Sequence, residues 1–332
     1  AVAADDAAGS SGGAPSLLQH AAGSRHAAAQ AHDSGQAEQA TPLMYFRYGP
    51  SLLPREANID GGDDMPLIMR DHQVSCETVF LSTYFSTRRD PQSDFGFVHV
   101  HPPVATFDYI EQYYRSILSL PGRAKAVLFY DKIPEDIIEK YTVPDGAFRF
   151  EQVDLSRFPV GESINDLRFA VYLEHVERHP EWGTLFLTDG GDVVVQHNPC
   201  SLVEAAPEKL YIGSEPQVLP VGYTDRMFGH MGGEYRAWYH SRRPDAGMFY
   251  NAGIVGGRRA LVLEFLRKLN AVLDDAQKHF LETGKSDDVN MAAVNWVLLR
   301  EYAPAGTVVT GVPLHSNYGY FEQRRDVYLR HK

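Results

Sequence analysis

Short apolar runs alternate along this chain with stretches whose large residues recur at every third or fourth position. The run ETVFLSTYF (77–85) predicts a strand. FDYIEQYYRSIL (107–118) predicts a helix with Phe107, Ile110, Tyr114 and Ile117 on one face. AKAVLFY (124–130) reads as a buried strand, PEDIIEKY (134–141) as a helix opened by proline, and AFRFEQVDL (147–155) as an alternating strand. INDLRFAVYLEHVERHPEW (164–182) then predicts a helix, with Asn165 as its N-cap and Pro180 past its end, leading into the strand TLFLT (184–188). Strand alternating with helix in this way predicts an α/β fold: a Rossmann-like, mostly parallel central sheet flanked by helices on both faces.

The second half is less regular. KLYIG (209–213) and MFYNAGIVGG (248–257) read as strands, and residues 222–247 read as a loop of glycines and aromatics. Helices are expected from about Arg259 to Leu281 and from about Asp287 to Tyr302, before a closing segment TVVTGVPLHSNYGY (307–320). At the other end, residues 1–43 are rich in Ala, Gly, Ser, Gln and His and carry too little apolar surface to offset the entropy of ordering, so a disordered stem is expected there. Residues 44–75 read as an irregular lead-in and 76–332 as the main domain.

Charge narrows the partners. Thirty-one Lys and Arg against 43 Asp and Glu give a net charge of −12, which argues against a general attraction to nucleic acid. Cys76 and Cys200 fit no zinc or C-x-x-C spacing and leave either one disulfide or two buried thiols. No apolar run is long enough to cross a bilayer. Because the sequence starts at Ala, a native membrane anchor removed upstream is compatible with it.

The densest chemistry lies in TLFLTDGGDVVVQHNP (184–199), where a buried strand runs into Asp189 and Asp192 separated by two glycines. Carboxylates at the carboxyl end of a parallel strand lie where ligands bind in such sheets, and they offer hard oxygens to Mg²⁺ or Mn²⁺. The same letters also spell a tight Asp-Gly turn with a solvated second carboxylate.

The wider pattern resembles glycosyltransferases of the GT-A fold, closest to retaining nucleotide-sugar transferases of the glycogenin-like and plant cell-wall kinds. LTDGGDVVVQHNP is similar to their metal-binding Asp-x-Asp segment, FYNAGIVGG to a downstream donor-site strand, SDDVNMAAVN to an intervening Asp-Gln-x-x-x-Asn stretch, and VPLHSNY to a late segment with a metal-binding histidine. The aspartate motif here is one residue longer, and Asp287-Asp288 stands where the family commonly has Asp-Gln. The resemblance spans residues from about 76 to 320.

That resemblance implies Mn²⁺ (or Mg²⁺) held by Asp189, Asp192 and His315, with a UDP-sugar as donor. Thr83 and Tyr84 would meet the uridine, Arg168 the diphosphate, Gly253 would allow the donor to approach the backbone, and Asn251, Asp287 and Asp288 would face the reacting sugar. The implied activity is a hexosyl- or pentosyltransferase moving sugar to a glycan, glycoprotein or other sugar acceptor. The aromatic segment 222–247, with Tyr223, Tyr235, Trp238 and Tyr239, reads either as an acceptor loop whose rings stack on sugar or as a mobile, partly packed surface loop. A stem-like start suits a type II membrane protein of the Golgi lumen; secreted and cytoplasmic locations are the alternatives. Two other functions fit the same architecture: a catalytically silent carbohydrate- or nucleotide-binding protein, and a sugar-nucleotide pyrophosphorylase, although STYFSTRRDP (82–91) lacks the glycine-rich phosphate loop of the latter. His99 and His101, in HVHPP, read as a structural loop.

Overall fold

The computed structural model describes residues 76–88, 107–120, 123–159, 161–191, 193–215, 221–242, 249–283, 288–317 and 326–331. All of these belong to one compact unit, Ile59–Lys332. The stem, the lead-in, His99, His101, Asp192 and Asp287 lie outside the described residues.

The alternating pattern of the first half folds as expected: β1 (Glu77–Tyr84), α1 (Asp108–Leu118), β2 (Arg123–Tyr130), α2 (Glu135–Tyr141), β3 (Phe148–Gln152), α3 (Ile164–Arg178) and β4 (Thr184–Thr188). Then come β5 (Val193–Val195), α4 (Cys200–Ala205), β6 (Leu210–Glu215), α5 (Val221–Met231), α6 (Gly233–Arg242), β7 (Phe249–Arg258), α7 (Arg259–Thr283) and α8 (Asn290–Val297). A π-helical turn (Leu298–Tyr302) extends α8, and β8 (Val308–Val309), β9 (His315–Asn317) and β10 (Leu329–His331) follow.

The strands form a seven-stranded sheet in the order β3-β2-β1-β4-β7-β6-β8 and a small sheet in the order β5-β10-β9. Among the large sheet's described strands only β7 runs against its neighbours. The chain steps outward from β1 to β2 and β3, and α3 then returns it to β4 on the opposite side of β1. In open α/β sheets ligands bind beyond the carboxyl ends of the strands at such a reversal, here β1 and β4.

Both sheet faces are covered, which is why the strands are nearly continuous apolar runs. Along β4, Leu185 and Leu187 join the core under α3, α5, α7 and α8. Phe186 points the other way, into the core formed with α1 and the small sheet. Helix α3 is buried almost all round, including Asp166, Arg168 and His175. Buried polar groups need partners: His175 meets Glu151, and Asp166 and Arg168 find theirs in the site described below.

Three expectations are corrected. The N-cap of α3 is Ser163, whose Oγ accepts from the Asn165 amide at 3.1 Å, because the hydroxyl-bearing residue two positions earlier already has the extended backbone of a cap. Residues 222–247 are not one loop: α5 and α6 occupy most of them, since Met227, Phe228, Met231, Tyr235 and Tyr239 keep helical spacing despite the glycines. The described aromatics there pack inward. Tyr239 is buried and stacks on Phe228 at 4.8 Å, and Tyr235 and Trp238 meet Trp296 at 4.5 and 4.8 Å. The closing segment contributes strands β8 and β9, and YLRH adds β10, which the sequence did not suggest.

The cysteines are joined: Cys76, just before β1, forms a disulfide with Cys200 at the start of α4.

Candidate functional site at the carboxyl end of β4

Asp189 follows β4 directly and stands at the crossover between β1 and β4. Its amide donates to the Gly253 carbonyl at 3.1 Å, tying the strand end to β7. From the other side, Ser82 Oγ donates to the Thr188 carbonyl at 2.7 Å. The two glycines that follow are required by packing. A Cβ on Gly190 would lie 2.8 Å from Ser82 Oγ, and one on Gly191 would lie 1.9 Å from Tyr109 Cζ, inside its ring.

The carboxylate itself is held from two directions. Arg168 Nη1, from α3, forms an ion pair with Asp189 Oδ1. His331 Nε2, from β10, faces Oδ2 at 3.8 Å. Burial alone would lower the Arg168 guanidinium, but Asp189, with Tyr172 and Asp288, more than offsets it and raises its pKa, so Arg168 stays charged. Its Nε is buried with no hydrogen-bond partner, which leaves an unspent donor beside the carboxylate.

Gly253 lies in an irregularity of β7. Ile212 pairs with Val255 and Gly213 with Asn251, so β7 carries extra residues over one step of β6. Asn251 Oδ1 closes this bulge by accepting from the Gly253 amide at 2.6 Å. A Cβ on Gly253 would lie 2.6 Å from His331 Nε2 and 2.7 Å from Asp189 Oδ2. The bulge therefore sets a side-chain-free backbone against a histidine and a carboxylate.

Asp288, buried before α8, lies close enough to Arg168 to help raise its pKa. Asn165 Nδ2 donates to its Oδ2 at 3.1 Å, and the Asn290 amide donates to its Oδ1 at 3.3 Å. Asp166, next to Asn165, accepts from the Val289 amide at 3.2 and 3.3 Å. Burial, and then the neighbouring Asp288, push the Asp166 carboxyl well above the usual carboxylate range. One turn of α3 thus grips the lead-in to α8 through Asn165 and Asp166, and the end of β4 through Arg168.

Three other expected residues have partners of their own. Thr83 is half-buried near Tyr172, and Tyr84, expected against a base, is buried with its ring 6.2 Å from that of Tyr109. His315 is buried beneath β6, and its Nε2 accepts from the Ser214 amide at 3.0 Å. Its ring nitrogen is engaged by the sheet, and His315, Asp189 and His331 do not gather within 4.8 Å of one another. Among the described residues, the one close grouping of three or more His, Cys, Asp or Glu ligands is Cys76, Cys200 and Glu204, and the disulfide takes up both of its sulfurs.

The sequence reading missed His331 and Asp166. Asp166 could have been found, like Arg168, as a charged residue inside the otherwise apolar face of a helix leading into the aspartate strand. Nothing local marks His331, which reaches the site through long-range pairing of β10 with β5 and β9.

Fold and site together define a Rossmann-like α/β protein with an Arg-Asp-His cluster at the crossover of its sheet. No model of a known protein family matches the chain, and no curated protein matches it.

Proposed function

We propose that this protein is a metal-dependent glycosyltransferase of the GT-A type that moves a sugar from a UDP-sugar donor to a glycan or glycoprotein acceptor. The observation that carries this reading is the position of Asp189 at the β1/β4 crossover, paired with a buried guanidinium that keeps an unspent N–H. A carboxylate and a fixed cation there suit a ligand that brings both a metal ion and a diphosphate.

The residues present fit a divalent ion in part. Asp189 Oδ2 and His331 Nε2 face each other at 3.8 Å beside Gly253, where an added Cβ would clash with both, an oxygen and imidazole pair of the kind Mn²⁺ accepts. When bound, the ion would offset the charge that builds on a departing diphosphate. Arg168 orients Asp189 and can donate its free Nε–H to a phosphate oxygen. The bulge closed by Asn251 brings the backbone of Gly253 against Asp189 and His331. Asp288, gripped by Asn165 and Asn290, holds the lead-in to α8 in place. The disulfide suits an oxidising compartment and so favours the secretory lumen.

The test is UDP release from a panel of UDP-sugars with Mn²⁺ or EDTA, comparing the intact protein with Asp189→Asn and Asp192→Ala. Metal-dependent release lost in both variants supports the reading and names the donor. Absence of release and of UDP binding, with acceptor extracts present, would leave a silent member of the same architecture.

A further inference from the structure

A cleft of about 320 Å³ lies outside the Asp189 cluster, between α5, α6 and the last turns of α7. Small-molecule sites run from about 300 to 1,000 Å³, so this one suits a ligand of monosaccharide size. Arg226 and His230, one turn apart on α5, line it together with Arg236 of α6 and His279 of α7. Asp225 is the one carboxylate among the described lining residues, and Arg236 grips it with Nε at 3.0 Å and Nη2 at 2.6 Å. His240 Nε2 meets the same carboxylate at 2.7 Å. These bonds hold α6 against α5 beyond the turn at Gly232, whose φ of 126° favours glycine. A Cβ on Gly232 would lie 3.8 Å from His279 Cγ, so the turn also rests near the α7 wall.

The lining selects its ligand by charge. Two guanidiniums against one carboxylate leave it positive in a chain whose net charge is −12, and each imidazole adds an N–H donor. A bare dianion would meet the repulsion of Asp225. A molecule that carries hydroxyl donors beside one acidic group satisfies the carboxylate and the cations together. Thr283, at the edge, donates its hydroxyl to the His279 carbonyl at 2.9 Å and can still accept from such a hydroxyl. No Phe, Tyr or Trp lines the cleft among the described residues, so a nucleobase finds no stacking platform there.

We infer that this cleft binds an acidic sugar, a saccharide carrying a carboxylate, sulfate or phosphate, with Arg226 and His279 on the oxyanion and Asp225 and Thr283 on ring hydroxyls. Its place in the fold gives that ligand a role. Helix α7 begins at Arg259, whose amide bonds to the Gly183 carbonyl at the amino end of β4. Its 25 residues span about 37 Å and carry His279 to the opposite end of the sheet. There a Cβ on Gly161, two residues before the Ser163 cap of α3, would lie 3.2 Å from the Phe280 ring. The same end of α3 supplies Arg168 to Asp189, so cleft and carboxylate share one rim of the sheet. The bound sugar is then the acceptor, a role that rests on the transferase reading, whereas the binding itself does not.

The experiment titrates the full chain at pH 7 with glucuronate, glucose 6-sulfate, glucose 6-phosphate and glucose, following the histidine Cε1–H resonances. His230→Gln and His279→Gln identify the two signals of the cleft. Each acidic sugar should shift both signals and bind at least about tenfold tighter than glucose. Arg226→Gln should weaken the acidic sugars about tenfold with the melting temperature retained, and Arg226→Lys should recover part of the loss. Lys278→Gln removes a cation of α7 outside the lining and should change affinity by less than about twofold. Equal binding of glucose, unchanged affinity in folded Arg226→Gln, or no shift at His230 and His279 overturns the inference. Inorganic sulfate or phosphate binding as tightly as the acidic sugars also overturns it and leaves a plain anion site.

The two readings fail separately. Acidic sugar held in the cleft of a chain that consumes no UDP-sugar removes the transferase and leaves the binding site. UDP-sugar turnover by a chain that binds no acidic sugar removes this inference and leaves a transferase.

Discussion

Arg168 and Asp189 form an ion pair that joins helix α3 to the end of strand β4, and the two partners are unequally exposed: 10% of the arginine side chain and 26% of the aspartate. Removing the aspartate therefore strands a buried charge, whereas removing the arginine leaves a carboxylate that water can reach. Asp189→Ala should cost about 3 kcal/mol and Arg168→Met less, with the double variant recovering part of the loss. Urea unfolding across the double-mutant cycle measures this. Additive losses would show that the pair is not coupled.

Asp166 offers a second comparison. Burial and the neighbouring Asp288 favour its neutral form, which Asn reproduces with an acceptor oxygen for the Val289 amide and a donor toward Asp288. Asp166→Asn should change stability by less than about 1 kcal/mol at neutral pH, while Asp166→Ala should cost about 2–3 kcal/mol by orphaning a buried N–H. Equal losses in thermal denaturation would show that Asp166 is ionised.

Glu162, just before α3, has its pKa pushed up to about 7, by burial first, with Asp274 adding and Arg88 opposing. Both states are protonated below the ordinary carboxylate pKa. As pH rises the unfolded chain releases its proton first, so stability falls through the window between about 4.5 and 7, and the full penalty stands above it. Glu162→Gln should flatten that slope and stabilise the protein at pH 8 by roughly 2 kcal/mol. Melting temperatures from pH 4.5 to 8 check it. An unchanged slope would point to other groups.

The Cys76–Cys200 bond closes a loop of 124 residues. In the chain-entropy account such a cross-link stabilises by about 5 kcal/mol. Thiol titration of the unfolded, unreduced protein should find no free thiol. Cys76→Ser should lower the denaturation midpoint, and reducing agent should then have no further effect.

Trp238 tests the corrected reading of residues 222–247. Its ring packs on Trp296 and on Phe228, 5.8 Å away, so Trp238→Ala should destabilise by about 2–3 kcal/mol. An acceptor-binding role would instead raise KM for acceptor with the melting temperature intact.

Much of the first half was legible because each element carries its own pattern. The period of two in AFRFEQVDL and the apolar runs of β1, β2 and β4 each suffice locally, and the order of elements then restricts the sheet to a mostly parallel one. Asp189 was legible for the same reason, as a charge at the end of a buried strand. Helices α5 and α6 were hidden by glycines that lower local helix propensity, a cost that packing on α7 and α8 outweighs.

The roles of the two glycines after Asp189 were ambiguous in the sequence, which allowed both a tight turn and a metal loop. Packing accounts for them without a metal: Ser82 and Tyr109 occupy the space that side chains would need.

By itself, the sequence determined the alternating elements, the class of the sheet and the strand end that carries Asp189, because these depend on periodicity within a few residues. Tertiary structure decided which histidine meets that carboxylate. His315 lies in the segment that resembles a ligand strand yet bonds to β6, whereas His331 arrives through the pairing of a three-residue strand with β5, far away in the chain. Short strands hold their place through long-range hydrogen bonds and burial, and neither leaves a mark on the residues nearby in sequence.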